Sequence, residues 1–310
     1  MNIFHSIQDF KSGKRTIVTL GTFDGVHIGH TKIIEKLLQN TSDCDCETLL
    51  LTFFPHPRMV LQDPTAIKLL NTMEEKSILL EKSGLQNLVI HPFDKDFSRL
   101  TAEEFVKNIL VDSFNIKKII IGHDHRFGRN RTANIDDLIV FGKLYDFEVE
   151  QISSQQINEV AISSTKIRNA LDEGDLKLAN AYLGYDYFIT GTVVKGKELG
   201  RTIGFPTANI AINESYKLIP QQGVYVVSSV IDNITVFGMM NIGFNPTVNG
   251  EKQTIEVNYF DLNSDLYGKK ISVSVLFRIR SEQKFESLAQ LKEQLHQDKK
   301  IALAFIEKQN

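Results

Sequence analysis

The chain has 310 residues, 42% hydrophobic and 24% charged, with a formal net charge of −3. That balance excludes a disordered or fibrous chain and leaves room for two ordinary domains, each with its own core. The mild negative charge argues against nucleic acid as a partner. No stretch approaches the roughly 18 uninterrupted apolar residues of a membrane span, so no membrane is expected either. Residues 1–15 show no long apolar run behind a basic start, and no signal peptide is expected. Cys44 and Cys46 are the two cysteines. Their C-x-C spacing is tight for an ordinary disulfide and no second pair completes a zinc site, so two free thiols in a reducing cytoplasm are expected.

In chain order, short apolar runs at 16–20, 48–53, 88–91, 118–121 and 148–152 read as strands. Between them lie helical patterns at 31–39, 73–82, 102–114 and 134–145, the third opening on the capping box Thr101-Ala-Glu-Glu104. Strand–helix alternation of this kind predicts an α/β parallel sheet covered on both faces, with chemistry in the loops after the strands. Helices at 164–171 and 176–183 close this half, and near Gly184-Tyr-Asp186 the pattern changes. Strands are expected at 188–194, 224–231, 234–240, 254–260 and 271–280, with a hairpin turn at Asp232-Asn233 and one late helix at 285–296. Sequential antiparallel strands with a closing helix suggest a small β-barrel. The expected domains are 1–185 and 186–310.

Directly after the first strand stands Gly21-Thr-Phe-Asp-Gly-Val-His-Ile-Gly-His30. The spacing of His27 and His30 puts both imidazoles on one face of a helix start, beside exposed N–H groups that attract phosphate. Two imidazoles there suit charge building on a pentacoordinate phosphorus and on its leaving pyrophosphate, and Gly29 lets backbone approach closely. The decapeptide resembles the nucleotidyltransferase superfamily that carries an HxGH motif, in which Gly21, Phe23, Asp24 and Gly29 belong to the ATP site. Ile162-Ser-Ser-Thr-Lys-Ile-Arg168 resembles the ISSTxxR motif that completes that site, with Ser164, Thr165 and Arg168 as a phosphate clamp.

Two more segments narrow the resemblance: Thr52-Phe-Phe-Pro-His-Pro-Arg58 and Ile121-Gly-His-Asp-His-Arg-Phe-Gly-Arg129. The whole set is similar to the FMN adenylyltransferase module of bacterial bifunctional riboflavin kinase/FAD synthetases. Asp124 then falls in the ATP site, and Phe54, His56 and Phe127 become flavin candidates. Thr22 stands where Asn is more usual in the family, and His125 where an aromatic is common. A metal site at His123-Asp124-His125 would need an extended segment and a third ligand that is not evident.

The second half carries Gly191-Thr-Val-Val-Lys-Gly-Lys-Glu-Leu-Gly-Arg-Thr-Ile-Gly-Phe-Pro-Thr-Ala-Asn209. Gly196, Gly200 and Gly204 let backbone approach phosphates while Lys197 and Arg201 neutralise them, although the spacing is not that of a Walker loop. The string resembles the GFPTAN signature of riboflavin kinases, which implies Thr207 and Asn209 as the donors for Mg²⁺ and ATP phosphates. In that family a Glu-x-His strand supplies the base for the riboflavin 5′-hydroxyl. Here Glu256 is kept and Asn258 replaces the His. Arg280 and Lys284 complete the flavin candidates.

The resemblance thus implies a Rossmann-like nucleotidyltransferase domain followed by a barrel domain. It implies an enzyme that uses ATP and Mg²⁺ to convert riboflavin to FMN and FMN to FAD. A homo-oligomer is compatible with it. The rival enzyme reading, a nucleotidyltransferase for another phosphate ester, leaves the FPTAN segment without a purpose. An RNA-binding barrel would need a basic stripe or aromatic platform that the segment lacks.

Overall fold

The computed structural model describes residues 1–41, 44–63, 65, 67–122, 126–153, 162–196, 199–247 and 250–309. It divides into two compact units, Met1–Ser164 and Thr165–Asn310.

The first unit is built on strands β1 (Asn2–Phe4), β2 (Arg15–Leu20), β3 (Cys46–Phe53), β4 (Asn87–His91), β5 (Ile116–Gly122) and β6 (Glu148–Ile152). They pair in the order β1-β4-β3-β2-β5-β6, parallel throughout. Side chains alternate across the sheet, and the core divides accordingly. Val18, Leu49, Leu51, Ile119 and Ile121 pack into one cluster with Val106 and Phe114. Ile17, Leu50, Leu88 and Ile120 pack into the other with Ile34 and Leu37. Burial on both faces explains the near-continuous apolar runs in the sequence.

The helices are α1 (Ile28–Gln39), α2 (Pro57–Leu61), α3 (Met73–Lys82), α4 (Ala102–Glu104), α5 (Ile135–Tyr145) and, at the junction, α6 (Ser164–Glu173). Thr101 and Glu104 form the expected capping box, and Thr72 with Glu75 and Asn134 with Asp137 form two more. The helix expected over 102–114 keeps α geometry only through α4 and continues as π-helical turns over Phe105–Val111. Phe105, Val106, Ile109 and Leu110 are buried there, so the apolar pattern is honoured by a wider coil. From β2 the chain passes to β3 on one side, whereas from β5 it passes to β6 on the other. The switch point of the sheet therefore lies beside the carboxyl end of β2.

One expectation is overturned here. Cys44 and Cys46 are not free thiols but are joined by a disulfide. The chain bends between them so that their Cα atoms are 5.3 Å apart, inside the range that a disulfide spans.

The second unit continues α6 into α7 (Leu176–Leu183), then β7 (Phe188–Val194), α8 (Leu199–Thr202), β8 (Ala208–Ala211), β9 (Gly223–Ile231), β10 (Ile234–Thr247), β11 (Gly250–Tyr259), β12 (Lys270–Arg280) and α9 (Leu288–Glu307). The strands close into an antiparallel barrel, β10-β11-β8-β7-β12-β9. Asp232 and Asn233 take φ of 49° and 64°, the left-handed pair that a tight hairpin needs. α9 begins at its Ser287 cap and runs eleven residues beyond the expected end at 296, because Ala302 and Ile306 are buried against Val226 and Met239. β8 was not expected, since Ala208 and Asn209 carry no strand pattern and pair only because β7 and β11 flank them. β1 is likewise too short to read from sequence.

The α6–α7 pair belongs to the barrel's own hydrogen bonding. Gln221 N donates to Leu171 O (2.9 Å), Asn180 Nδ2 donates to Val275 O (3.1 Å), and Tyr187 N donates to Asn180 Oδ1 (2.9 Å).

Candidate functional sites

In the first unit the loop that leaves β2 carries two non-glycine residues in the left-handed region, Phe23 at φ 45° and Val26 at φ 36°. Such conformations persist where packing over-determines them, and both residues are at most 5% exposed. The turn delivers His27 to the N-cap of α1 and His30 to its first turn. Their rings stack at 3.7 Å with a 15° interplanar angle, and Phe23 lies against the His30 ring at 4.6 Å. Nδ1 of His30 is buried without a hydrogen-bond partner. Burial, then the adjacent His27, then Lys76 hold the His30 imidazole well below its usual range. His30 is therefore neutral at physiological pH and can present one N–H to a phosphoryl oxygen.

Other motif residues tie down the loop that carries this pair. The Asp24 carboxylate, 1% exposed, accepts from Leu70 N at 3.0 and 3.2 Å. Ser164 Oγ donates to the Asp24 carbonyl at 2.9 Å. Gly29 is buried in α1, and a Cβ on Gly21 would stand 3.2 Å from the Phe23 ring. Thr165 and Arg168 lie on α6 in the second compact unit, where Arg168 acts on the carboxyl of Asp172. Asp124, with the rest of the His123-Asp124-His125 cluster, lies outside the described residues.

Of the flavin candidates, Phe54 precedes a cis peptide to Pro55, and His56 caps α2 by accepting from Arg58 N at 3.1 Å. Phe127 is 6% exposed and packs in the core against Phe105. The sequence reading passed over a second aromatic group at the ends of β3 and β4, where Phe97 meets Phe53, His91 and Phe93 at 4.8–5.8 Å. It also passed over Lys76, a helical lysine in α3 that no catalytic motif singles out.

In the barrel, register does what linear spacing cannot. Asn209 pairs with Glu256, and Glu256 pairs with Asn241, so three polar side chains form one row across β8, β11 and β10. Thr207 Oγ1 lies 3.4 Å from Glu256 Oε2, to which it donates. Asn258, two residues along the same face, donates from Nδ2 to Pro206 O at 2.7 Å and so ties the Phe205–Asn209 segment to β11. Gly196 lies directly on the Asn209 amide, where a Cβ would come within 2.1 Å of Nδ2. The loop closes by a bond from Phe205 N to Gly200 O at 2.8 Å, and Gly204 takes a φ of +87°. Arg201 is exposed on α8, and Lys197 lies outside the described residues.

Arg280 is engaged with α9. Its Nε and guanidinium nitrogens bind the fully buried Asp298 carboxylate at 2.8–3.0 Å, and Gln294 Nε2 donates to the same group. Lys284 is exposed beyond β12. Among the described residues no cluster of three His, Cys, Asp or Glu could hold a metal. The Thr207 hydroxyl, Asn209 amide and Glu256 carboxylate are hard oxygen donors, the set that suits Mg²⁺ shared with phosphates rather than a caged ion.

A stacked imidazole pair on a helix start at the switch point of a parallel sheet, and a hydroxyl, an amide and a carboxylate brought together on a barrel, fit the class of two-module transferases. The FAD synthetase family model matches residues 9–166 and the riboflavin kinase model residues 183–306. The bifunctional riboflavin kinase/FMN adenylyltransferase of Bacillus subtilis is 37% identical over 299 residues, covering 94% of this chain and 92% of its own. Its Escherichia coli K12 counterpart is 36% identical over 290 residues, with 93% and 92% covered. A crystal structure from Streptococcus pneumoniae, described as a macrolide-efflux protein, superposes with a TM-score of 0.88 at 32% identity, covering 97% of this chain and 98% of that one. No described helix here is long and apolar enough to cross a membrane. The chain belongs to the bifunctional riboflavin kinase/FMN adenylyltransferase family and makes FMN from riboflavin and FAD from FMN, with ATP as co-substrate.

Proposed function

We propose that adenylyl transfer to FMN takes place around His27 and His30, and phosphoryl transfer to riboflavin beside Thr207, Asn209 and Glu256. The stacked imidazole pair at the start of α1 is the observation that carries the first assignment. The neutral His30 donates to the α-phosphoryl oxygens as charge gathers there, and the N–H groups of the α1 terminus add to it. Ser164 binds the departing pyrophosphate, and Asp24 holds the turn through Leu70. The domain boundary near residue 185 assigns each chemistry its own segment.

In the barrel, Glu256 takes the proton of the riboflavin 5′-hydroxyl as the hydroxyl oxygen attacks the γ-phosphoryl group of ATP. Thr207 and Asn209 are the residues that would hold Mg²⁺, and that ion supplies charge neutralisation on the β- and γ-phosphates when bound. Gly196, Lys197, Gly200, Arg201 and Gly204 wrap the phosphates. Phe54, His56 and Phe127 border FMN in the first site, and Lys284 borders riboflavin in the second. The ATP demand of both reactions favours a cytoplasmic location, for which the Cys44–Cys46 bond is no support.

The test separates the two products. The parent chain, given riboflavin, ATP and Mg²⁺, should yield FMN and then FAD. His30→Ala should accumulate FMN without FAD, whereas Glu256→Gln should make FAD only when FMN is supplied. A His30→Ala chain that still makes FAD at the parental rate would remove the imidazole pair from the chemistry.

A further inference from the structure

Lys76 is 2% exposed and sits in the fourth position of α3, one residue after the Thr72–Glu75 capping box. That is a costly place for a cation on two counts. An ammonium loses its hydration on burial, and the positive end of a helix repels it. An apolar residue would fill the site without either cost. What the lysine does instead is reach the β2–α1 loop, where Nζ donates to the Thr22 carbonyl at 2.7 Å. Thr52 Oγ1 donates to the same carbonyl at 3.2 Å. The oxygen so held belongs to the residue before Phe23 and Asp24, the turn that aims His27 and His30.

We propose that Lys76 is a positioning residue for adenylyl transfer, whose buried ammonium anchors the Thr22 carbonyl and so holds the turn that aims His27 and His30. The proposal rests on the assignment of His30 to that reaction. The groups that interact with the ammonium are the Thr22 carbonyl and the Asp24 carboxylate from the loop and the His30 imidazole from α1. Of these Asp24 alone favours the charged lysine by its negative charge across the turn, while burial opposes it more strongly and brings its pKa down to about 8. Lys76 in turn disfavours a proton on His30, in addition to burial and His27. Lysine and imidazole are thus coupled, the one charged and the other neutral between the two titrations.

The signs follow. Below about pH 8 the free protein holds Lys76 charged and the loop anchored; above it the ammonium loses its proton and the anchor weakens. The pH profile of kcat/KM for FAD formation reports the free enzyme, so it should fall through an alkaline limb near pH 8. In the parent protein, the ring resonances of His30 followed by NMR should show a step at that same pH without the ring itself titrating. Lys76→Met should lack both the alkaline limb and that step. Its acid limb should move to higher pH, since one of the causes holding His30 low has gone. Lys76→Arg, charged throughout, should lose the alkaline limb but keep the acid limb in place. FMN formation, measured in the same chains, controls for folding. Parental His30 resonances with no step near pH 8, or a Lys76→Met profile with both limbs unmoved, would overturn the proposal. If instead His30→Ala still forms FAD, the fault lies with the role of His30, and the NMR step near pH 8 still reads the coupling by itself.

Discussion

At the residue scale the proposed phosphoryl transfer turns on Glu256. Its carboxylate is a side chain of the type that can accept the hydroxyl proton as the new bond forms. General-base help of this kind is typically worth about 10²–10⁴-fold, so Glu256→Gln should slow single-turnover FMN formation by that range. Riboflavin binding should change little, because Gln keeps the shape. Asn258→Ala should act differently. Its amide holds Pro206 O, so the expected loss is in ordering the Phe205–Asn209 segment, read as a higher Mg²⁺ requirement for FMN formation rather than a lost base. An unchanged Mg²⁺ titration in Asn258→Ala would show that the segment stands without it. Gly196 tests the same segment from the other side. A methyl group there would enter the Asn209 amide at 2.1 Å, so Gly196→Ala should cut FMN formation and leave FAD formation from supplied FMN untouched.

At the element scale α9 is pinned by a buried ion pair. Asp298 is fully buried and Arg280 half-buried, and their two-pronged contact joins α9 to β12. Removing one partner of a buried pair costs about 3–5 kcal/mol, and the partial exposure of Arg280 puts this one at the low end. Asp298→Ala should therefore lower the midpoint of barrel unfolding, measured by denaturant titration. Replacing both partners by apolar residues, Arg280→Met with Asp298→Leu, should recover most of the loss. A destabilised double variant would mean that the charges themselves, rather than the orphaned Arg280, carry the stability.

At the scale of the whole molecule, the chain divides at Ser164 in its packing but between 166 and 183 in its family matches. The difference is the α6–α7 pair, which hydrogen-bonds to the barrel through Leu171, Asn180 and Gln221. Two fragments should behave accordingly. A chain of residues 165–310 should unfold at a higher denaturant concentration than one of 184–310, which lacks those bonds and leaves Tyr187 N without its acceptor. Equal midpoints would make the helix pair an appendage.

What the sequence determined by itself is what rests on local chemistry. Apolar runs on β2, β3 and β5 dictate a sheet buried on both faces, and Asp232-Asn233 dictates a left-handed turn. The spacing of His27 and His30 forces their rings together at a helix start, whatever surrounds it. Tertiary structure alone decided the rest, because the deciding neighbours are remote in the chain. Asn209 meets Glu256 only through strand register, and the four residues of β8 become a strand only because β7 and β11 flank them. Arg280 finds Asp298 across a helix packing, and Cys44 finds Cys46 through a bend that a spacing rule does not contain. Lys76 is the extreme case. Nothing in its own helix marks it as buried, and its significance exists only where Thr22 and His30, 54 and 46 residues earlier, fold against it.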